Sequence, residues 1–446
     1  MSYIPHTDVE RQQMLSAIGV TTIEDLFDAV PSAHRFPRLN LPTPLSEMEV
    51  LAEMMALAEA NEHAQDYANF RGAGAYHHYI PSAVNHILMR GEFYTAYTPY
   101  QPEISQGTLQ ATFEYQTMIA SLTGMDAANA SHYDGATSLA EAITVSLEVS
   151  RHKRNKIILS PTIHPHYRAV VRTYHQGRGL KIVGDKGQAT ISDLADMLDE
   201  NTAMLAVSYP NFFGQIDDLT TLAEKVHNAG ALLVVVANPM ALALFKSPGD
   251  FGADIVVGEA QPFGIPMGFG GPYLGYFATR MEYVRRIAGR VIGETADTEG
   301  QRAYVMTLRP REQDIRREKA TSNICTNQGL MALAACVYLA LMGKQGLRKV
   351  AELCYHKAHY AAKQISALKG FSVDQSLPYF HEFVVKCPMP AARINERLIE
   401  QGIIGGYDLV QDYAHLKNHM LVCVTEMNTK DEIDMFVEAL GEVAKQ

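Results

Sequence analysis

Three short apolar runs, AMLAVSYP, ALLVVVAN and DIVVGEA, constrain this chain most, because they are bounded by turn residues and separated by segments of helical period. Runs of that length and composition read as strands buried on both faces. From about Gly107 to Arg280 the pattern alternates. Leu109 to Thr123 reads as a helix ended by Gly124, and Ser138 to Arg151 as a second helix. The strands KIILSP and LKIVG follow, then a helix from Ser192 to Leu198, the strand AMLAVSYP, a helix from Leu219 stopped at Asn228-Ala229-Gly230, and the strand ALLVVVAN. Strands spaced by helices imply an α/β fold with a mostly parallel central sheet. Ligands of such sheets sit beyond the C-terminal ends of the strands.

On either side the pattern changes. Residues 1–80 read as an N-terminal helical arm, 81–330 as the large α/β domain, and 331–446 as a long helix leading into a smaller C-terminal α/β domain. In the arm, Thr7 or Asp8 can cap a helix through Ile18 and Ser46 another through Ala60. The linker PSAHRFPRLNLPTPL is too short for a core of its own and is predicted to lie across the main body or a partner subunit. A long apolar helix from about Asn327 to Met342 precedes the strands FSVDQS and HEFVVKCP, a helix from Ala391 to Gln401, the strand HMLVCVTEM and a helix from Lys430 to Ala444. That last helix opens on the Thr429/Glu432 capping box.

Several functions are excluded early. Lys+Arg 38 against Asp+Glu 49 gives a net charge of −11, the wrong sign for a nucleic-acid binder. The longest apolar stretches fall short of the roughly 18 to 20 residues of a membrane span. The first residues have neither the basic start nor the apolar run of a secretory signal, so a cytoplasmic location is expected. Cys325, Cys336, Cys354, Cys387 and Cys423 form no CxxC pair and read as reduced core thiols. HExxH, a phosphate-loop GK[ST] and GxSxG are missing, and GAGAY at Gly72 to Tyr76 lacks the third glycine and does not follow a strand. The histidines His77/His78 and His164/His166 diverge along the chain and read as loop or core residues, so no metal is expected.

Two segments could bind something. YTAYTPYQPEISQG, Tyr94 to Gly107, is a stiff aromatic and polar loop suited to lining a ligand, to a subunit contact or to a purely structural role. NASHYDGATSLAEA puts Gly-Ala-Thr-Ser at the start of a helix, either an anion site or a plain N-cap.

AVSYPNFFG, the pairing of ALLVVVAN with DIVVGEA, GFGGPYLGYF, YTPYQPEISQG and above all REKATSNICTNQGLMAL resemble the P-proteins of the glycine cleavage system, which are pyridoxal phosphate (PLP)-dependent glycine dehydrogenases (decarboxylating). The likeness covers nearly the whole chain from Tyr94 onward. It implies the aminotransferase-like PLP-dependent transferase fold (fold type I), with active sites at a subunit interface. P-proteins are one long chain of two homologous halves or a pair of subunits, and this chain has the length of one half.

Chemistry distinguishes the halves. The cofactor needs a lysine to hold it and an acid, usually Asp, beside its ring nitrogen. Matching the family's motifs puts Val235 or Val236 at the Asp position and Gln261 or Pro262 at the lysine position, and no lysine occurs between Lys246 and Lys319. Glu259 and Gln261 read as replacements for the lost chemistry. The chain therefore resembles the alpha-type subunit (subunit 1), with no catalytic residue of its own.

The resemblance further implies PLP on a homologous beta subunit (subunit 2), an alpha2beta2 assembly, glycine as substrate, and transfer of the aminomethyl group to the lipoyl arm of H-protein after carbon dioxide leaves. Thr321, Ser322 and Asn323 match a segment that reaches the partner's cofactor phosphate, with Arg317 and Lys319 adding positive charge. Tyr97, Tyr100, Gln101 and Glu103 are candidates for lining the glycine or lipoyl entrance. The basic run from Arg302 to Lys319 also has the plain reading of a solvated helix face. Two alternatives are an active enzyme using Lys246 and a noncatalytic pseudoenzyme with a structural or regulatory role.

Overall fold

The computed structural model describes residues 6–61, 66–94, 99–268, 270–324 and 327–443. The chain divides into two compact units, Met1–Glu62 and His63–Gln446.

The first unit holds two capped helices, α1 (Asp8–Ile18) and α2 (Glu47–Glu59). Thr7 and Glu10 close a capping box on α1, and Ser46 and Glu49 close one on α2. Each box satisfies helix-start donors that would otherwise face water alone. Met48, Leu51, Met54 and Met55 of α2 are exposed.

The second unit is built on a seven-stranded sheet: β1 (Ala127–Ala128), β2 (Lys156–Leu159), β3 (Lys181–Val183), β4 (Thr202–Tyr209), β5 (Leu232–Ala237), β6 (Ile255–Glu259) and β7 (Gly275–Thr279). Side by side the order is β1-β7-β6-β5-β4-β2-β3, parallel from β6 to β3, with β7 antiparallel to both of its neighbours.

Strand residues alternate between two cores, as the period of two requires. Leu159, Met204, Val234, Val236 and Val257 pack with Leu139 and Ile143 of a helix α4 (Gly135–Val149) and Val171 of α5 (Pro165–Tyr174). Ile158, Leu205, Leu233, Val235 and Val256 pack on the other face with Tyr115 and Ile119 of α3 (Gln106–Thr123), Val226 of α6 (Leu222–Asn228) and Ala335 of α7 (Gly329–Ser366). Both faces are covered, so the strand interiors are apolar and polar residues such as Lys156, Thr202 and Glu259 stand at strand ends.

The expected long helix extends beyond Met342 as α7, and Gly343 (φ 56°, ψ −175°) marks a break in it just past the predicted end. Although α7 is apolar enough over one window to cross a membrane, Ala332, Ala335, Cys336 and Leu339 are buried in the protein core.

Between β7 and α7 lies an antiparallel hairpin, β8 (Val291–Ala296) and β9 (Arg302–Thr307). The run from Arg302 to Lys319 is thus not one charged helix but a strand followed by single turns. Tyr304 is the one buried residue of β9, packed beside Leu109 and Ile292.

The C-terminal part forms an antiparallel sheet of β10 (Ser372–Val373), β11 (Glu382–Lys386), β12 (Tyr407–Asp408) and β13 (His419–Cys423), in the order β10-β11-β13-β12. It is covered by α8 (Ala391–Ile399) and α9 (Lys430–Val443) through Ile394, Leu398, Phe436 and Leu440. Residues Ala68–Asn69 pair with Ile403–Ile404, which ties the start of this unit to its end. Cys336, Cys354, Cys387 and Cys423 are buried free thiols, and Cys325 lies outside the described residues.

Candidate functional site

The C-terminal ends of β4, β5 and β6 meet the start of α4, the place where an α/β sheet binds its ligand. Gly74, Tyr76, His164, Tyr167, Asn238 and Glu382 enclose part of a cleft of only about 70 Å³ there. Small-molecule sites typically offer roughly 300 to 1,000 Å³, so this one has room for little more than a few waters.

Glu259, the last residue of β6, is the first reason. Its Oε2 accepts from the Gly135 N–H at the start of α4 (3.0 Å), and its Oε1 accepts from Gln261 N–H (3.1 Å) and Leu274 N–H (2.8 Å). A carboxylate of the chain itself thus lies where free helix-start donors would attract an anion from solution. Asp134 caps α4 and accepts from Thr137 N–H at 2.7 Å, so the plain N-cap reading of this segment describes the structure. Burial raises the Glu259 carboxyl to about 7 against the pull of its backbone donors.

Gln261 is the second reason. Its side-chain oxygen accepts from Tyr76 N–H (3.0 Å), and its Nε2 donates to the carbonyls of Tyr76 (2.9 Å) and Ile265 (2.8 Å). The amide therefore clasps both backbone groups of one residue in the Gly72–Tyr76 segment. Of the two valines at the expected acid position, Val236 lines the cleft and Val235 points into the opposite core. Pro262 follows Gln261 in a turn and is also buried.

GAGAY is a strap rather than a phosphate loop. Glu382 accepts from Ala73 N–H (2.7 Å) through Oε1 and from the Tyr76 hydroxyl (2.8 Å) through Oε2. His164 Nε2 lies 2.8 Å from the Ala73 carbonyl. Glycine is required because the approach is close: a Cβ on Gly72 would stand 2.5 Å from Glu382 Oε1, and one on Gly74 (φ +105°) 2.9 Å from His164 Nε2. Burial raises Glu382 to about 7 and lowers His164 to about 4 and His381 to about 3, so these imidazoles are neutral at physiological pH. None of these ties was foreseen from sequence, since the partners are remote along the chain. The glycine pair in an irregular segment was the available signal.

A separate buried trio joins His78, Cys354 and Glu426. His78 Nδ1 lies 2.7 Å and Cys354 Sγ 3.3 Å from Glu426 Oε2, while Tyr79 N–H donates to Oε1 at 2.7 Å. Burial opposes ionisation of Glu426, but the His78 contact and the backbone donors outweigh it and bring the carboxyl to about 2. A larger groove of about 790 Å³ is lined by Thr162, Gln188, Asp217, Lys386 and His415, among others, and by none of the candidate site residues.

The remaining sequence candidates lie elsewhere. Tyr97 is outside the described residues. Gln101 and Glu103 are exposed around the Pro102–Ile104 turn. Nearby, Gln106 anchors the loop through a two-way bond with the Tyr304 backbone at 2.8 and 2.9 Å, a role sequence reasoning missed. Tyr100 turns to a different partner, and its hydroxyl accepts a hydrogen bond from Arg290 Nη2 at 3.0 Å.

Thr321, Ser322 and Asn323 line a groove of about 450 Å³ together with Glu141, Tyr174 and Arg317. Ser322 Oγ donates to the buried Glu141 at 2.7 Å, as does the Tyr174 hydroxyl at 2.6 Å, so the Ser322 hydroxyl has a partner within the chain. The Tyr174 hydroxyl oxygen also lies 3.1 Å from Asn323 Oδ1. Lys319 is exposed and does not line the groove.

Comparison with known proteins assigns this geometry to a family. Residues 1–440 match the family model described as glycine cleavage system P-protein. The probable glycine dehydrogenase (decarboxylating) subunit 1 of Thermomicrobium roseum is 54% identical over 99% of both chains, and that of a Geobacillus species is 52% identical over 99% of this chain and 98% of the relative. A crystal structure of glycine decarboxylase (P-protein) of the glycine cleavage system in inhibitor-bound form superposes with a TM-score of 0.90 and 42% identity over 99% of this chain and 100% of the other. Sphingosine-1-phosphate lyase from Burkholderia pseudomallei shares the fold alone, with TM-score 0.67 and 16% identity over 93% of this chain and 95% of the other. The fold is fold type I of the PLP-dependent enzymes.

Proposed function

Because the chain belongs to the glycine cleavage system P-protein family, we propose that it serves a two-subunit glycine decarboxylase as the subunit that does not carry the cofactor. Its relatives are named as subunit 1 of glycine dehydrogenase (decarboxylating), which implies a second subunit, and the noncatalytic alternative is not favoured by enzyme names held over the full chain length.

The filled cleft carries this reading. PLP needs a covalent lysine, an acid beside its ring nitrogen and donors for its phosphate. By the family's motifs the lysine position falls on Gln261 or Pro262 and the acid position on Val235 or Val236, while the Glu259 carboxyl occupies the helix-start donors a phosphate would use, in a cleft of about 70 Å³. The residues of this chain do not fit the cofactor. Decarboxylation of glycine and transfer of the aminomethyl group to the lipoyl arm of H-protein are then centred on PLP in subunit 2. This chain supports that site across an alpha2beta2 interface, with the Thr321–Asn323 loop and the exposed Gln101 and Glu103 facing the partner.

Reconstitution tests the reading. Glycine–carbon dioxide exchange should be absent from either subunit alone and present in the pair, with PLP bound in proportion to subunit 2. Exchange by this chain alone would contradict it.

A further inference from the structure

Tyr100 belongs to a second polar constellation, distinct from the cleft, that the fold leaves incomplete. Arg290 is only 3% exposed, rare burial for a guanidinium, and its Nη2 donates to the Tyr100 hydroxyl while its Nε has no partner among the described residues. Arg309 also lies over the Tyr100 ring, its Cζ 5.2 Å from the centroid against 5.6 Å for Arg290. Arg309 pairs with Asp314 at 3.0 Å, and its buried Nε again lacks a partner among the described residues.

Behind them Arg311 donates to the carbonyls of Ile287 and Gly289, fixing the loop from which Arg290 projects. Glu312 is buried among the three arginines, and its Oε1 is unpartnered among the described residues. Three guanidiniums against the carboxylates of Glu312 and Asp314 leave one positive charge. Leu308, next to Arg309, holds a left-handed backbone (φ +55°), an unfavourable conformation for leucine that needs support from its surroundings.

A cluster serving stability alone would pair these donors, because each buried polar atom left without a partner is costly. The Nε donors left free on Arg290 and Arg309 are charge-assisted donors suited to the oxygens of a carboxylate or phosphate. We infer that Arg290 and Arg309, positioned by Tyr100, form a binding site for an anionic oxygen group. The inference rests on the proposed pairing with a cofactor-bearing subunit, since glycine brings a carboxylate and PLP a phosphate.

The test uses the two-subunit enzyme with Arg290→Lys, which keeps charge but loses the fork, and Arg309→Met, at a half-exposed position. Loss of one charge-assisted hydrogen bond should raise the affected constant about tenfold or more. A rise in the KM for glycine with kcat and PLP affinity little changed identifies the substrate carboxylate, and a rise in the PLP dissociation constant, read by absorbance, identifies the phosphate. If both variants assemble and both constants stay within about twofold of the unsubstituted enzyme, the inference is overturned.

The isolated chain gives an independent arm. Its melting temperature should rise with inorganic phosphate or acetate, and the rise should vanish in Arg309→Met. Equal stabilisation of both chains would overturn the site even if Arg290→Lys failed to fold. If the unsubstituted pair is inactive while the isolated chain still responds to phosphate, the proposed pairing has failed and the anion site has not.

Discussion

The cleft at the strand ends and the arginine cluster around Tyr100 are both rich in buried polar groups, and they differ in how those groups are partnered. In the cleft, Gln261, Glu259 and Glu382 bond mainly to backbone of their own chain. In the cluster, the Nε atoms of Arg290, Arg309 and Arg311 have no partner among the described residues. Complete internal pairing holds a structure closed, whereas spare directional donors leave capacity for a group from outside. Substitutions in the cleft should therefore act on stability, and those in the cluster on binding.

The largest expected effect belongs to Gln261→Leu. It would leave Tyr76 N–H and the carbonyls of Tyr76 and Ile265 without their present partner, costing about 3–6 kcal/mol if each buried group loses about 1–2 kcal/mol. Denaturant unfolding would measure it. A normal unfolding midpoint would break the contrast, because the strap would then not depend on the clasp.

Glu382→Gln sharpens it through pH. Burial raises the Glu382 carboxyl from 4.5 to about 7, so its contribution to stability is fully present below the unfolded value and is lost as pH rises through the folded one. The variant cannot titrate there, and its stability relative to the natural chain should rise by up to about 3 kcal/mol between about pH 4.5 and pH 8. His164 and His381, lowered to about 4 and 3, act in the opposite direction with pH but are common to both chains. Unfolding midpoints at the two ends of that range give the difference, and a flat difference would remove the buried carboxyl from the account of the cleft.

The smallest effect on stability is expected from Tyr100→Phe. It removes one hydroxyl contact with the buried Arg290 and keeps the ring, so the unfolding free energy should fall by about 1–3 kcal/mol, below the range for Gln261→Leu. A loss as large as that of Gln261→Leu would place Tyr100 among the structural ties and erase the distinction between the regions.

The alternation that defines the sheet was legible because strands buried on both faces must be apolar throughout, and β4, β5 and β6 fall on the three runs that showed it. The capping box at Thr429 and the caps at Thr7 and Ser46 were readable because such signals are local, while the boxes that Glu10 and Glu49 complete at the latter two came from the structure. The hairpin of β8 and β9 was hidden because β9 opens on the exposed Arg302 and buries Tyr304 alone, so it shows no clear alternation. The strap was hidden for another reason: the partners Gln261, Glu382 and His164 are 91 to 309 residues from it in sequence. Sequence marked Gln261 or Pro262 as the position of a missing lysine, and only the structure gives the Gln261 amide a task. Arg290 carried no signal, being one arginine in a basic stretch.

The most direct measurement is borohydride reduction of the assembled two-subunit enzyme in the presence of PLP, followed by peptide mapping of both chains. The expected result is a reduced pyridoxyl label on a lysine of subunit 2 and none on this chain. A label on Lys246 or any other lysine of this chain, at a yield matching its activity, would show that the clasped cleft is not the end of its cofactor chemistry.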